Sequence, residues 1–278
     1  MNMIEKSGSL NFAMNLVLLA GLLFILVPLY FVITTASHSF ESFLQNGIPL
    51  LPGTHLFDNI RYLLSETAIP KQILNSLILA LLVALGKCFF AYITAFGLVF
   101  FSVKYTGVIF GFILVTVMLP IDVRVVTTYQ VISDMNLLNT YIGLAFPLIA
   151  HGTGTFMFRQ FFKTIPSSLP EAARMDGAGP FRFAVDILLP LSKSTFAALF
   201  ILMFLGGWNA YLWPLVASST PAMHTAVVGL AKLQPGSDGE IANFPVIMSA
   251  VLMISVVPML IIALLQKHVS KGLSLSEK

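Results

Sequence analysis

The chain has 278 residues, 57% of them hydrophobic and only 10% charged, with a net charge of +3 and a mean hydropathy of +0.91. Soluble domains carry roughly a quarter of their residues as charges, so this composition excludes an ordinary globular protein and points to an integral membrane protein. The small, scattered positive balance speaks against nucleic acid as a partner, and a single cysteine, Cys88, excludes a disulfide framework or a cysteine metal site.

In lipid the structural unit is a helix of about 20 apolar residues. Continuous apolar runs predict six of them, over 12–34, 72–103, 107–133, 141–162, 195–216 and 245–266. A β-barrel would alternate apolar and polar residues in short strands, which these runs do not. The first run follows Lys6 and ends near the small residues Thr34 and Ala36, so it also has the look of a signal peptide. Its length beyond the usual apolar core of about 7–15 residues favours a retained helix; a mature N-terminus near residue 37 is the alternative. The segment 37–71, with its Pro, Gly and short amphipathic pieces, is too long for a turn and reads either as an external cap or as a solvated spacer.

The second run exceeds the hydrocarbon thickness and predicts a tilted or projecting helix. It carries Lys87 near its middle, and the third run carries Asp122 and Arg124 just after Pro120. Charges at such depth cost about 2.5–3.5 kcal/mol each on insertion and face a partner or a cavity. Two readings stay open: a Lys87–Asp122 pair that stitches two helices, or a positive excess from Lys87 and Arg124 that eases an anionic substrate through the pathway.

Between the fourth and fifth runs lies a polar interruption, 171–190, "EAARMDGAGPFRFAVDILLP". Ser168 is its expected N-cap, Pro170 suits a first turn, and Glu171 places negative charge at the positive end of the helix dipole. Gly177 and Gly179 break the helix, Pro180 opens a second, and Pro190 stops it before the next span. Helices this short are marginal alone, so they pack either on the chain's own helix ends or on a partner. The fifth run holds "GGWNAYLWP", 206–214. Asn209 is expected to face the pathway, Trp208 and Tyr211 offer flat faces suited to a polyol, and Trp213 is expected to be structural. Segment 218–240 reads as a further external docking surface.

Orientation follows from the cations. With both termini cytoplasmic, Lys6, Lys104, Arg159, Lys163, Arg174, Arg182, Lys193, Lys267, Lys271 and Lys278 lie inside, against Arg61, Lys71, Arg124 and Lys232 outside. The polar interruption then faces the cytoplasm. The sequence contains no phosphate loop, since Gly86-Lys87-Cys88 lacks the upstream glycine and the hydroxyl; it also lacks an H-E-x-x-H helix, and His38, His55, His151, His224 and His268 have no ligand spacing. His151, inside a run, reads as a hydrogen-bonded structural residue.

Glu171, Ala172, Ala173, Gly177, Ile187, Leu189 and Pro190 fill the fixed positions of a known pattern. The segment resembles the EAA loop of the membrane subunits of binding-protein-dependent ABC importers. The resemblance continues through "NSLILAL" (75–81), "MLPIDVR" (118–124), "FMFRQFFKTIP" (156–166) and "GGWNAYLWPL" (206–215), covers nearly the whole chain, and lies in the carbohydrate-uptake branch. Within that branch "LPGTHL" (51–56) and the terminal "SEK" (276–278) are similar to the second, shorter permease subunits of glycerol-3-phosphate importers.

The resemblance implies an all-α polytopic membrane protein with six transmembrane helices in the type I ABC importer, maltose-permease-like, fold. It implies an N-terminal helix and periplasmic segment over residues 1–71, a core permease domain 72–267 with a coupling loop 163–193, and a cytoplasmic tail 268–278. In the loop, which also includes Asp176, Glu171 and Arg174 are the expected polar contacts, Ala172 and Ile187 the apolar ones, and Gly177 the turn. The implied partners are a companion permease subunit, two copies of an ABC ATPase subunit that use ATP and Mg, and a periplasmic or extracytoplasmic substrate-binding protein. This chain would bind no cofactor, metal or nucleic acid and would not be an enzyme by itself. Membrane lipid and a small polar, phosphorylated substrate complete the set: sn-glycerol-3-phosphate or a glycerophosphodiester, with a neutral sugar or oligosaccharide as the alternative. An ion-coupled secondary carrier is the rival class, with Asp122 as the carboxylate it would use. A membrane-embedded enzyme lacks a nucleophile or metal constellation.

Overall fold

Backbone amides in hydrocarbon have no water to bond, and a chain this apolar can satisfy them only within helices or a closed barrel. The computed structural model describes residues 8–117, 121–150, 152–234 and 241–274; the side chains of 8–11, 117, 121–122 and 268–274 lie outside the description. Among the described residues all regular structure is helical. In chain order the helices are α1 (Gly8–Ala36), α2 (Phe40–Asn46), α3 (Leu56–Glu66), α4 (Ile69–Phe100), α5 (Thr106–Val117), α6 (Val125–Asp134) and α7 (Tyr141–Ile149). They continue as α8 (Gly152–Phe162), α9 (Ser168–Met175), α10 (Pro180–Leu191), α11 (Lys193–Trp208), α12 (Leu212–Ala217), α13 (Ala226–Lys232) and α14 (Phe244–Ser274).

Among the described residues three helices are each long and apolar enough to cross a membrane: α1 from Phe12, α4, and α14 as far as Lys267. Two pairs reach that composition only together, α7 with α8 bent by 50° and α10 with α11 bent by 77°. Besides 141–162, which bends between α7 and α8, two more runs expected to be single helices are broken. Over 107–133 the chain forms α5, a 3-10 turn at Ile121–Arg124, and α6. Over 195–216 it forms α11 and α12, separated at 209–211. Pro214 explains the second break, because it has no N–H to donate and its ring crowds the carbonyl of Ala210 one turn back.

One compact unit comprises Met1–Ile69 with Lys232–Ser255. From Phe12 to Tyr30 every side chain of α1 is exposed, as suits a helix whose solvent is lipid or another chain. Its end is held firmly. Asn59 donates from Nδ2 to the carbonyls of Ala36 and His38 at 2.9 Å each, Ser249 donates to Ala36 at 3.2 Å, and Tyr30 donates to Leu50 at 2.5 Å. The Ser37 hydroxyl accepts from Gly53 N–H at 2.7 Å, and Phe43 packs against Phe244 with ring centroids 5.4 Å apart. These bonds occupy carbonyls that a helix end leaves orphaned. Segment 37–71 is thus tied to the end of α1 at these points, while most of its side chains remain exposed.

The second unit comprises Pro70–Ala231 with Val256–Lys278. Its axis is α4, which buries Asn75, Leu79, Val83, Ala91, Ala95 and Leu98 along one stripe, the three-and-four spacing of one helical face. Small residues on that stripe let neighbouring helices close in. A side chain on Gly207 of α11 would stand 3.0 Å from the Cα of Ala80, so this crossing is built for glycine. Polar residues close one end: Asn75 Nδ2 donates to the carbonyls of Ala222 and His224 at 2.8 Å each, and Tyr141 donates to Asn75 Oδ1 at 2.8 Å. Leu79, Val83, Ile132, Leu144, Trp213 and Ala217 form the core beneath that end.

Candidate functional site

The polar interruption folds as the helical hairpin α9–α10. Here the expected cap is corrected: Ser168 is the first residue of α9, and Ser167 before it makes no side-chain cap bond. Glu171 in the first turn still meets the helix dipole favourably. The helix ends in a paired closing motif, with Ala178 N–H bonded to Ala173 O at 2.8 Å and Gly177 N–H to Arg174 O at 3.0 Å. That geometry requires the left-handed φ of +76° at Gly177. Gly179 is extended and Pro180 takes the first position of α10.

The middle of α10, Phe183–Leu188, widens to a π-helix. Pro190 supplies the cause, since in an ordinary α-turn its ring would collide with the carbonyl of Asp186 and it can return no hydrogen bond. Leu189 N–H bonds back to Ala184 O, and the chain turns by 77° into α11. Pro190 is thus followed by only one more helical residue before the bend at Ser192.

One face of the hairpin is locked to α4. Tyr92 donates to the carbonyl of Ala184 at 2.6 Å, and Phe183 sits 5.3 Å from Phe100 and 6.4 Å from Phe96. Tyr92 also meets Phe158 and Phe162 edge to face, both at 5.4 Å. Such ring pairs contribute about 0.5–1.5 kcal/mol each beyond burial, so the cluster fixes the hairpin to α4 and α8 as one body. Ala173, Ala184 and Leu188 are buried on this side and Ile187 partly so. Between the hairpin and the aromatic floor runs a cleft of about 410 Å3, with Lys163, Glu171 and Arg174 among its lining residues.

Away from α4 the hairpin is bare. Ala172, Asp176, Leu189 and Pro190 are exposed, with Met175 at 89% and Phe181 at 81%, and Glu171 and Arg174 are exposed where they line the cleft. The motif pattern passes over Met175 and Phe181, although two large apolar side chains inside a charged stretch are the signal for a covered surface. The ion pair of Arg182 with Asp186, at 3.5 Å, is solvent-exposed and contributes little. The hairpin is packed behind and exposed in front, with charged and large apolar side chains side by side.

The expected pathway residues are not gathered into a site. Lys87 is half-buried on α4, Arg124 is exposed at the start of α6, and Asn209 and Tyr211 are exposed at the break between α11 and α12. No hydrogen bond or ion pair among the described residues joins these four. Trp208 is buried and stacks on Phe204 at 5.9 Å, and Trp213 is buried with Nε1 donating to Leu144 O at 3.0 Å. Residues 118–120, His151 and the side chain of Asp122 lie outside the described residues, and with them the Lys87–Asp122 pair.

Residues 73–275 match the family of binding-protein-dependent transport system inner membrane components. The sn-glycerol-3-phosphate transport system permease protein UgpE of Rhizobium meliloti (strain 1021) is 40% identical across 99% of this chain and the whole of that protein. That of Yersinia pestis bv. Antiqua (strain Antiqua) is 39% identical over the same shares. Among solved structures, a chain of a bacterial ABC transporter involved in the import of the acidic polysaccharide alginate superposes with a TM-score of 0.81 at 21% identity. The alignment covers 96% of this chain and 99% of that one, and it carries the fold alone.

Proposed function

The chain belongs to the inner membrane components of binding-protein-dependent transport systems, and from that premise we propose that it is the permease subunit of an ATP-driven importer of sn-glycerol-3-phosphate or a related glycerophosphodiester. Its fold is that of type I ABC importers, and it is a transport subunit rather than an enzyme in its own right. It works with a companion permease, an ATPase and a substrate-binding protein; two ATPase copies, one gripping each permease, complete the assembly. Both termini and the hairpin α9–α10 face the cytoplasm.

The observation that carries this reading is the two-faced hairpin within a chain so similar to glycerol-3-phosphate permeases along its full length. Closure of the ATPases on ATP displaces the docked face, with Glu171, Arg174 and Asp176 as its polar contacts and Ala172, Met175 and Phe181 as its apolar ones. The aromatic lock passes the displacement to α4 and α8, which switch access to the pathway. Gly177 holds the turn, and Ile187, Leu189 and Pro190 set the bend into α11. Lys87, Arg124, Asn209 and Tyr211 are the wall residues offered to substrate, with Trp208 stiffening the helix behind Asn209. ATP and Mg bind the ATPase and not this chain.

The test is uptake of labelled sn-glycerol-3-phosphate into proteoliposomes holding the full complex. The expected result is uptake that needs the binding protein and internal ATP and is blocked by vanadate. Uptake driven by a proton gradient without the ATPase sinks the proposal, and maltose uptake in place of the phosphate ester sinks its substrate.

A further inference from the structure

One polar group at the membrane boundary is used by neither the hairpin nor the pathway. Arg159 lies in the last turn of α8, with its guanidinium carbon 4.0 Å from the centre of the Phe110 ring on α5. Phe156, nearly one turn earlier, stacks on the same ring at 6.3 Å. The guanidinium lies against the ring, and its Nε is buried without a hydrogen-bond partner. An arginine held against a ring with a donor unspent keeps its positive charge available to an anion beside it.

Two more cations stand at the same end. Lys163 follows four residues on, its N–H bonded to the Arg159 carbonyl at 3.1 Å, so the pair shares a helix face. Lys104 lies two residues before the start of α5, whose first turns hold Phe110. Both lysines are exposed; Lys104 lies over the Tyr105 ring at 5.1 Å and Lys163 lines the cleft that Glu171 also lines, but among the described residues none of the three cations makes an ion pair. Beside them α5 turns apolar side chains outward, with Val108 and Phe112 each 71% exposed.

We infer that Lys104, Arg159 and Lys163 bind the phosphate of an anionic phospholipid headgroup whose acyl chains run along Val108 and Phe112. Charge without a counter-charge, bordered by bare apolar surface, complements a molecule with an anionic head and a hydrocarbon tail.

The assembled transporter is placed in nanodiscs of phosphatidylcholine with a minor fraction of phosphatidylglycerol, and the lipids retained on extraction are counted by native mass spectrometry. Phosphatidylglycerol is expected to be enriched, and Arg159→Gln or Lys163→Gln to lower its retention relative to phosphatidylcholine by about fivefold each. An unchanged ratio overturns the inference. Loss of a protein subunit from the Arg159→Gln complex with the lipid ratio intact overturns it as well, because the patch then faces protein. Displacement of phosphatidylglycerol by inorganic phosphate at unchanged ionic strength overturns it in favour of a soluble anion. If Arg159→Gln fails to assemble, Lys104→Gln and Lys163→Gln decide with the same expected loss, since both side chains are exposed.

Discussion

Gly177 shows how much one backbone angle can carry. A Cβ added there would meet nothing within 4 Å, so the whole penalty of a larger residue comes from φ +76°. For an ordinary L-residue that is about 1–2 kcal/mol, and asparagine tolerates the region better. Gly177→Ala and Gly177→Asp are expected to leave insertion and assembly intact while lowering substrate-stimulated ATP hydrolysis; Gly177→Asn should keep most of it. Equal activity in all three variants would remove the turn from the mechanism. At Lys87 the expectation concerns the substrate. Removing the cation raises the transport KM for sn-glycerol-3-phosphate several-fold if the residue lines the pathway, so normal kinetics in Lys87→Ala would take it off the wall.

At the scale of elements, proline decides where these helices stop being regular. Pro190 forces the wide turn in α10 and Pro214 separates α11 from α12. Pro190→Ala is expected to let 183–188 rewind as an ordinary helix, rotating Phe181 relative to the Tyr92 anchor. Uptake should fall with ATP binding by the complex unchanged, and a variant with wild-type uptake would mean the bend is incidental. These positions also mark what is legible in the sequence. Apolar runs locate α1, α4 and α14, because length and hydropathy are sums over many residues. The loop is legible because Glu171, Gly177, Pro180 and Pro190 act through local backbone rules. The break at 209–211 escapes a reading by apolar runs, although Pro214 signals it. The anchoring of Ala184 by Tyr92 cannot be read at all, since it joins residues 92 positions apart. Apolar periodicity likewise cannot separate a continuous helix over 107–133 from α5, a 3-10 turn and α6.

For the whole molecule the central expectation is sidedness. Cys88 is the chain's single cysteine and is buried, so a Cys88→Ser background is silent to labelling. In it Phe181→Cys is expected to react with a membrane-impermeant maleimide only in inside-out vesicles, and Leu51→Cys only in right-side-out ones. Both parent side chains are well exposed on this chain, at 81% and 75%, so in vesicles holding the permease subunits without the ATPase the membrane decides access. The reverse pattern would place α9–α10 out of reach of any cytoplasmic ATPase.

The bond from Ser249 to the carbonyl of Ala36 spans 213 positions. A ribosome delivers α1 long before it delivers α14, so the first helix must wait in the bilayer with that carbonyl unclaimed by Ser249 until nearly all of the chain has been translated. The seal at its end is among the last native contacts that biosynthesis permits.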